Sequence, residues 1–277
     1  MKRIATIQDI SCIGKCSLTV ALPIISAFGI ETAIIPTAVL STHTAFENFT
    51  FKDLTDEIRP IYEHWKSEGF GFDAIYTGYL GSERQIDIVA DFFEKFRTED
   101  NIIVADPAMG DMGKLYKGFD TAFAHRMATL CAQADIVVPN LTEACFMLDE
   151  PYTDMSGDEE YIKNLLIRLC EHGSKISVIT GITPSDNTIG AMMYDSTDNA
   201  FFSYYTDKAN AAFHGTGDIF ASTLTGALTT GCTLQKALEI AVDYTAECIR
   251  FTLLDKKSNW YGVNFEQALP YLIDKIK

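Results

Sequence analysis

In residues 135–149, DIVVPNLTEACFMLD, a short apolar run ends in a polar pair and gives way to a longer mixed segment. The run DIVVPN (135–140) is apolar at nearly every position, as a strand covered on both faces should be. Asn140 and Glu143, three residues apart, fit an N-cap and its capping-box partner, so a helix is expected over 141–149. The unit repeats in both directions along the chain. Strands are expected at 3–8, 32–40, 73–80, 101–107, 175–181 and 189–195, and helices at 15–29, 53–69, 82–97, 119–133, 158–173, 218–230, 233–254 and 264–276. The helix from Thr233 shows the period best, with Leu234, Ala237, Leu238, Ala241, Val242, Ala246 and Ile249 apolar. Strand and helix alternating in this way predict a three-layer α/β/α fold with a mainly parallel central sheet. No linker and no internal repeat interrupts it, so residues 1–277 are expected to form a single domain.

Composition narrows the function classes. With 47% hydrophobic residues the chain can bury a large core, which excludes disorder. Its 38 acidic against 22 basic residues give a formal charge of −16, so the overall field repels nucleic acid. Any anionic ligand must therefore be held locally, by helix N-termini, a metal ion or one or two lysines. Seven scattered cysteines without a Cys-x-x-Cys pair suit a reducing cytoplasm. MKRIATIQDI lacks the apolar region of a signal peptide, and nothing approaches the ~18 uninterrupted apolar residues of a membrane span. A cytoplasmic protein with no membrane and no nucleic-acid partner is expected.

Ligands of such folds sit beyond the carboxyl ends of the strands, so the polar residues that follow each apolar run carry the information. These are Gln8 and Asp9, Ser41 to Thr44, Gly78 to Gly81, Asp106, Asn140 to Glu143, and Thr180 with Gly181. Two nucleotide signatures fail. IGKCS (13–17) ends like a P-loop, but Asp9 occupies the place of its first glycine. GFGFDA begins like a dinucleotide fingerprint at Gly69 and Gly71, yet the third glycine is Ala74 and a strand follows rather than precedes it.

FHGTGDIFAS (213–222) is more specific. Gly215, Thr216, Gly217 and Asp218 precede a run of small and apolar residues, so the free N–H groups of a buried helix would face the rim and attract a phosphate. Taken alone, Asp218 could equally be a first-turn acid. Asp106, in DPAMGD, could be a strand-end cap, and Asn140 with Glu143 a capping box. The alternative is that these oxygen donors organise Mg²⁺, which prefers one or two carboxylates plus substrate phosphates to a full protein cage.

GTGD (215–218), DPAMGD (106–111), PNLTEA (139–144) and GYLGS (78–82) resemble, in order and spacing, the ribokinase-like vitamin kinases. With STHT (41–44), the resemblance is to the pyridoxal (pyridoxamine) kinase branch, and it extends from the first strand to about residue 252. It implies transfer of the γ-phosphate of ATP to the 5'-hydroxymethyl group of a B6 vitamer, with Asp218 as the base. It makes the N–H groups of Gly215 to Asp218 the stabilisers of the phosphoryl group. Asp106, Glu143 and Asn140 would organise Mg²⁺ and the ATP phosphates, Asp106 and Glu143 as metal ligands, and Thr180 would touch the nucleotide. Asp9, Ser11, His43, Thr44 and Tyr79 would surround the pyridine ring. A homodimer is implied, and a requirement for a monovalent cation such as K⁺ is left open. The family usually has a serine straight after the first strand, where this chain has Asp9, an acid that suits a cationic amine or a related pyrimidine. The reactive cysteine of some relatives has no counterpart in DMGKLYKG.

Hydroxymethylpyrimidine kinase is the second reading, although that branch typically carries cysteine at the place of Asp218. A sugar kinase is third. A non-catalytic vitamer sensor would be expected to lack the base or the metal-organising acids, and this chain has them all. His64, His125 and His172 read as surface or helix-end groups, Trp65 and Trp260 as packing, and the acids at 154 and 158–160 as a solvated helix start. His214 could orient the glycine loop. Tyr204, Tyr205 and Lys208 read as either a flap over the nucleotide or an ordinary connection.

Overall fold

In chain order the strands are β1 (Arg3–Ser11), β2 (Glu31–Leu40), β3 (Phe51–Asp53), β4 (Ala74–Thr77), β5 (Ile102–Ala105), β6 (Gly110–Asp111), β7 (Lys114–Leu115), β8 (Ile136–Val137), β9 (Ile176–Ser185), β10 (Thr188–Asp195) and β11 (Ala200–Asp207). This computed structural model describes residues 1–209, 211 and 213–277. Nine strands form one sheet in the order β11-β10-β9-β8-β5-β4-β1-β2-β3, and β6 with β7 makes a separate two-stranded ribbon. The pairings of β1 with β2 and β4, β4 with β5, β5 with β8 and β8 with β9 are parallel. Among the described residues the nine-stranded sheet is antiparallel at its two flanks, β2–β3 and β9–β10–β11.

The period of two sorts side chains to the two faces. From β1, β4 and β5, Ile4, Ala74, Tyr76 and Val104 pack against α1 (Leu18–Ala27) and, later in the chain, the C-terminal helices. Ala5, Ile7, Ile75, Ile103 and Ala105 point the other way, onto α2 (Thr55–Ser67), α3 (Glu83–Phe96), α4 (Thr121–Cys131), α5 (Leu141–Met147) and α6 (Glu159–Glu171). The helices α7 (Thr216–Thr229), α8 (Leu234–Leu254) and α9 (Phe265–Lys275) complete the first face. The result is the three-layer α/β/α arrangement expected from the alternation.

Helix starts follow the side chains that can cap them. Ser82, Asp120, Asp158 and Thr233 accept from the N–H three residues on at α3, α4, α6 and α8. At α5 the box is complete, since Asn140 accepts from the Glu143 N–H and Glu143 from the Asn140 N–H.

Four strands escape the sequence reading. β3 and the ribbon β6–β7 are two or three residues long, too short to show a period. β11 is the larger correction: Tyr204 and Tyr205 are not part of a flap but lie in an edge strand paired to β10. The Tyr204 hydroxyl donates to Asp243 Oδ1 at 3.0 Å, and the Lys208 N–H to the Asn187 carbonyl at 2.8 Å. Among the described residues no helix is long and apolar enough to cross a membrane.

Candidate active site

The site is built where α7 begins. Its N-cap, Gly215, has φ +82°, and a β-carbon there would fall 2.1 Å from the Lys15 carbonyl oxygen, so both conformation and contact require glycine. The loop 12–17 from the end of β1 therefore lies directly on the GTGD turn. A β-carbon on Gly217 would meet nothing within 4 Å, which leaves its backbone open to the rim. One turn later Ile219, Phe220 and Ala221 are buried and anchor the helix in the core.

Two cavities adjoin at this helix start. One, of about 340 Å³, is lined by Asp106, Asn140, Glu143, Thr180 and the whole of Gly215 to Asp218. The other, of about 290 Å³, is lined by Asp9, Ser11, His43, Thr44 and Tyr79, and again by Gly215 and Asp218. Ala108, Tyr116 and His214 also face both. The residues expected at the nucleotide thus gather in one cavity, those expected at the ring in the second, and Asp218 stands at the junction.

Glu143 is braced as well as buried. Its Oε1 accepts from the N–H groups of Met109 at 2.8 Å and Gly110 at 3.3 Å, and its Oε2 from Asn140 at 2.9 Å. Three of the about four acceptor positions of a carboxylate are thereby used. Asn140 closes the link by donating to the Gly110 carbonyl at 2.8 Å. The capping box and the cavity wall are the same residues, and they hold the loop after β5 in place. Asp106 is less committed: its Oδ1 accepts from the Ala108 N–H at 3.1 Å, and its Oδ2 has no hydrogen-bond partner among the described residues.

The electrostatics are one-signed. Burial pushes Asp218 up to about 7, with the Asp9 charge adding and the Ser17 N–H opposing. Burial likewise raises Glu143 to about 7 against its three N–H donors. Asp106 is driven well above the ordinary carboxylate range by burial and then by the charges of Glu143 and Asp218. Asp9 is raised by burial, with the Ser17 and Ser11 hydroxyls pulling the other way. No lysine, arginine or histidine forms an ion pair with these acids among the described residues. Such a set lacks a cation. Among the described residues no three His, Cys, Asp or Glu side chains assemble as a ligand cage. An oxygen-only set with one uncommitted carboxylate fits Mg²⁺ that is held mainly by substrate phosphates and water.

His43 is fixed as a neutral ring. The Ala45 N–H donates to its Nδ1 at 3.2 Å, so the proton sits on Nε2 and is donated to the Tyr261 carbonyl at 2.9 Å. Burial lowers its affinity for a second proton. The exposed His214 lies tilted against it with ring centres 4.7 Å apart, and Trp260, read as packing, is exposed with its ring edge-on to His43. His64, His125 and His172 lie on the surface, away from both cavities.

Several lining residues carry no sequence signal. Tyr116 and Lys117 follow the short ribbon, where neither period nor cap exists. Thr245, Ala246 and Ile249 come from α8, whose spacing reads simply as core. Cys16 and Ser17 were legible only as a failed P-loop.

The profile of the phosphomethylpyrimidine kinase family matches residues 24–261. A Bacteroides thetaiotaomicron structure described as a phosphomethylpyrimidine kinase, in an orthorhombic form with pyridoxal, is 41% identical with a TM-score of 0.93, covering 98% of this chain and 95% of that one. Pyridoxal kinase from Lactobacillus plantarum is 27% identical with a TM-score of 0.89, covering 99% and 97%. Pyridoxal kinase from Arabidopsis thaliana is 27% identical over 268 residues, 94% of this chain and 85% of its own. By its sequence over most of its length and by its fold, the chain belongs to the phosphomethylpyrimidine kinase family.

Proposed function

We propose that this chain is an ATP-dependent kinase for the 5'-hydroxymethyl group of a B6 vitamer: pyridoxal, pyridoxamine or pyridoxine. The observation that carries the reading is the position of Asp218, shared by a cavity with a helix N-terminus and a cavity with aromatic and polar walls. Asp218 takes the proton of the acceptor hydroxyl. The oxygen attacks the γ-phosphorus in line as the bond to the ADP oxygen breaks. The N–H groups at Gly215 to Asp218 face the charge that spreads over the phosphoryl oxygens. A carboxyl group held near 7 is matched to this task at physiological pH.

Asp106 and, through its remaining acceptor position, Glu143 would hold Mg²⁺, with Asn140 keeping the loop in register. The ion would neutralise phosphate charge that the acidic surroundings otherwise repel. Thr180 lines the nucleotide cavity in this reading. Asp9, Ser11, His43, Thr44 and Tyr79 enclose the ring, Tyr79 as part of a wall in which its ring centre lies 5.6 Å from that of Phe119. The reading includes one kinase domain over residues 1–277, a homodimer, and work in a reducing cytoplasm, which suits the seven free cysteines. A K⁺ requirement is checked by exchanging K⁺ for Na⁺ in the assay, and the dimer by light scattering.

Hydroxymethylpyrimidine as the acceptor is the second reading, favoured by the family profile itself. The deciding experiment is ATP consumption with Mg²⁺ at equal concentrations of the three vitamers and the pyrimidine. Preference for a pyridine is the expected result; exclusive use of the pyrimidine would transfer the same chemistry to the second reading.

A further inference from the structure

We propose that Asp9 is the specificity-determining residue of the acceptor cavity, and that it selects acceptors carrying an ammonium group on the ring position next to the hydroxymethyl group. The inference rests on the vitamer-kinase reading and deepens it.

Asp9 is 4% exposed, yet it lines the acceptor cavity. The backbone is irregular at this point. Gln8 pairs with Pro36 and Ile10 with Val39, so Asp9 stands opposite two residues of β2. The extra residue belongs to β2, so the regular pairing is interrupted opposite Asp9, whose side chain reaches the cavity. Its Oδ2 accepts from the Ser11 hydroxyl at 3.0 Å. A buried carboxylate supported by the Ser11 and Ser17 hydroxyls and its own N–H lacks its natural complement, a cation.

The surrounding protein does not supply one. Lys15 Nζ is bound to Asn264 Oδ1 and Glu266 Oε2, both at 2.9 Å. Lys117 lines the cavity from the exposed side and forms no ion pair with Asp9. The neutral ring of His43 is held at both nitrogens, and His214 lies against that ring. The remaining charged group in the cavity is Asp218, a second acid.

Two acids facing one small ring divide its substituents between them. On a B6 ring the hydroxymethyl group to be phosphorylated and the variable substituent sit on adjacent carbons. With Asp218 at the hydroxymethyl group, Asp9 is placed for the neighbour. That neighbour is an ammonium in pyridoxamine, an aldehyde in pyridoxal and a hydroxyl in pyridoxine. Hydroxymethylpyrimidine carries an uncharged amine there, which can donate to a carboxylate but brings no charge.

The test compares kcat/KM for these four acceptors in the wild type, Asp9→Asn and Asp9→Ser, with thermal melting of each protein. Asp9→Asn keeps an acceptor for the Ser11 hydroxyl and removes only the charge. The expected result is a wild-type preference for pyridoxamine over pyridoxine whose kcat/KM ratio falls about tenfold or more in both variants, the scale of a lost charge-assisted hydrogen bond. Should Asp9→Asn fail to fold, the ratio measured for Asp9→Ser decides. Parallel loss on every acceptor would show that Asp9 merely holds the loop, and an unchanged ratio would likewise overturn its selective role, both without touching the vitamer reading. Turnover of the pyrimidine alone would overturn the inference together with that reading.

Discussion

Gly215 rests against Lys15 so closely that a β-carbon would fall 2.1 Å from the Lys15 carbonyl oxygen. The contact joins the start of α7 to the loop after β1, and thereby joins Asp218 to the acceptor cavity. Gly217, two residues on, meets nothing within 4 Å of its own added β-carbon.

The two glycines should therefore fail differently. Gly215→Ala combines a positive φ with a backbone clash and is expected to lower stability by about 1–3 kcal/mol as well as activity. Gly217→Ala has neither problem. Its unfolding transition should stay within about 0.5 kcal/mol of wild type, while KM for ATP rises because the methyl group stands where phosphate must approach. Chemical denaturation beside steady-state kinetics separates the two, and equal loss of stability in both would contradict the geometry.

Asp218→Asn should trade activity for stability. Folding raises the Asp218 carboxyl from 3.8 to about 7, so the folded state binds the proton more tightly than the unfolded chain. That contribution is fully present below about 4 and is lost as pH rises through about 7. The asparagine variant does not undergo this loss. Its melting temperature should exceed that of wild type by more at pH 8 than at pH 5, while kcat falls by about 10²–10⁴. In the wild type, kcat/KM should rise with pH through about 7, as the base loses its proton.

Asn140 makes two bonds that a substitution can separate. Its Oδ1 accepts from the Glu143 N–H at 3.0 Å, and its Nδ2 donates to the Gly110 carbonyl at 2.8 Å. Asn140→Ala loses both and should lower stability by about 1–2 kcal/mol. Asn140→Asp keeps the cap but loses the donor and brings another acid to Glu143. Its deficit should shrink on acidification, where the added carboxyl is protonated, and a deficit independent of pH would point instead to the lost donor to the Gly110 carbonyl.

Asp106→Asn addresses the metal. Asp106 is the acid with an uncommitted oxygen, so the variant should need about tenfold more Mg²⁺ for half-maximal activity while its kcat at saturating Mg²⁺ is less affected. Isothermal titration of the nucleotide with and without Mg²⁺ gives an independent reading. An unchanged Mg²⁺ dependence would remove Asp106 from the ion's surroundings.

Much of this arrangement was legible in the sequence because strand ends and helix caps are local events. DIVVPNLTEA fixes where β8 stops and α5 starts from a few residues, and the same residues line the nucleotide cavity. The glycines of FHGTGD likewise mark a turn and a helix start. What was hidden depends on partners remote in sequence. AFFSYYTD becomes a strand because β10 offers its edge, and Tyr116 reaches the rim of both cavities because it follows the short ribbon β6–β7. Glu143 could be read as a cap or as a ligand, and only the fold reveals that its N–H donors include Met109 and Gly110.

The central claim is that Asp218 activates a vitamer hydroxyl toward ATP. It is tested most directly by incubating wild type and Asp218→Asn with Mg²⁺-ATP and each vitamer and identifying the product by phosphorus NMR and mass. The account predicts a 5'-phosphorylated vitamer and ADP in equal amounts from the wild type, and a rate lower by about 10²-fold or more from a folded Asp218→Asn protein. No vitamer phosphate from the wild type, or near-normal turnover in the variant, would contradict it.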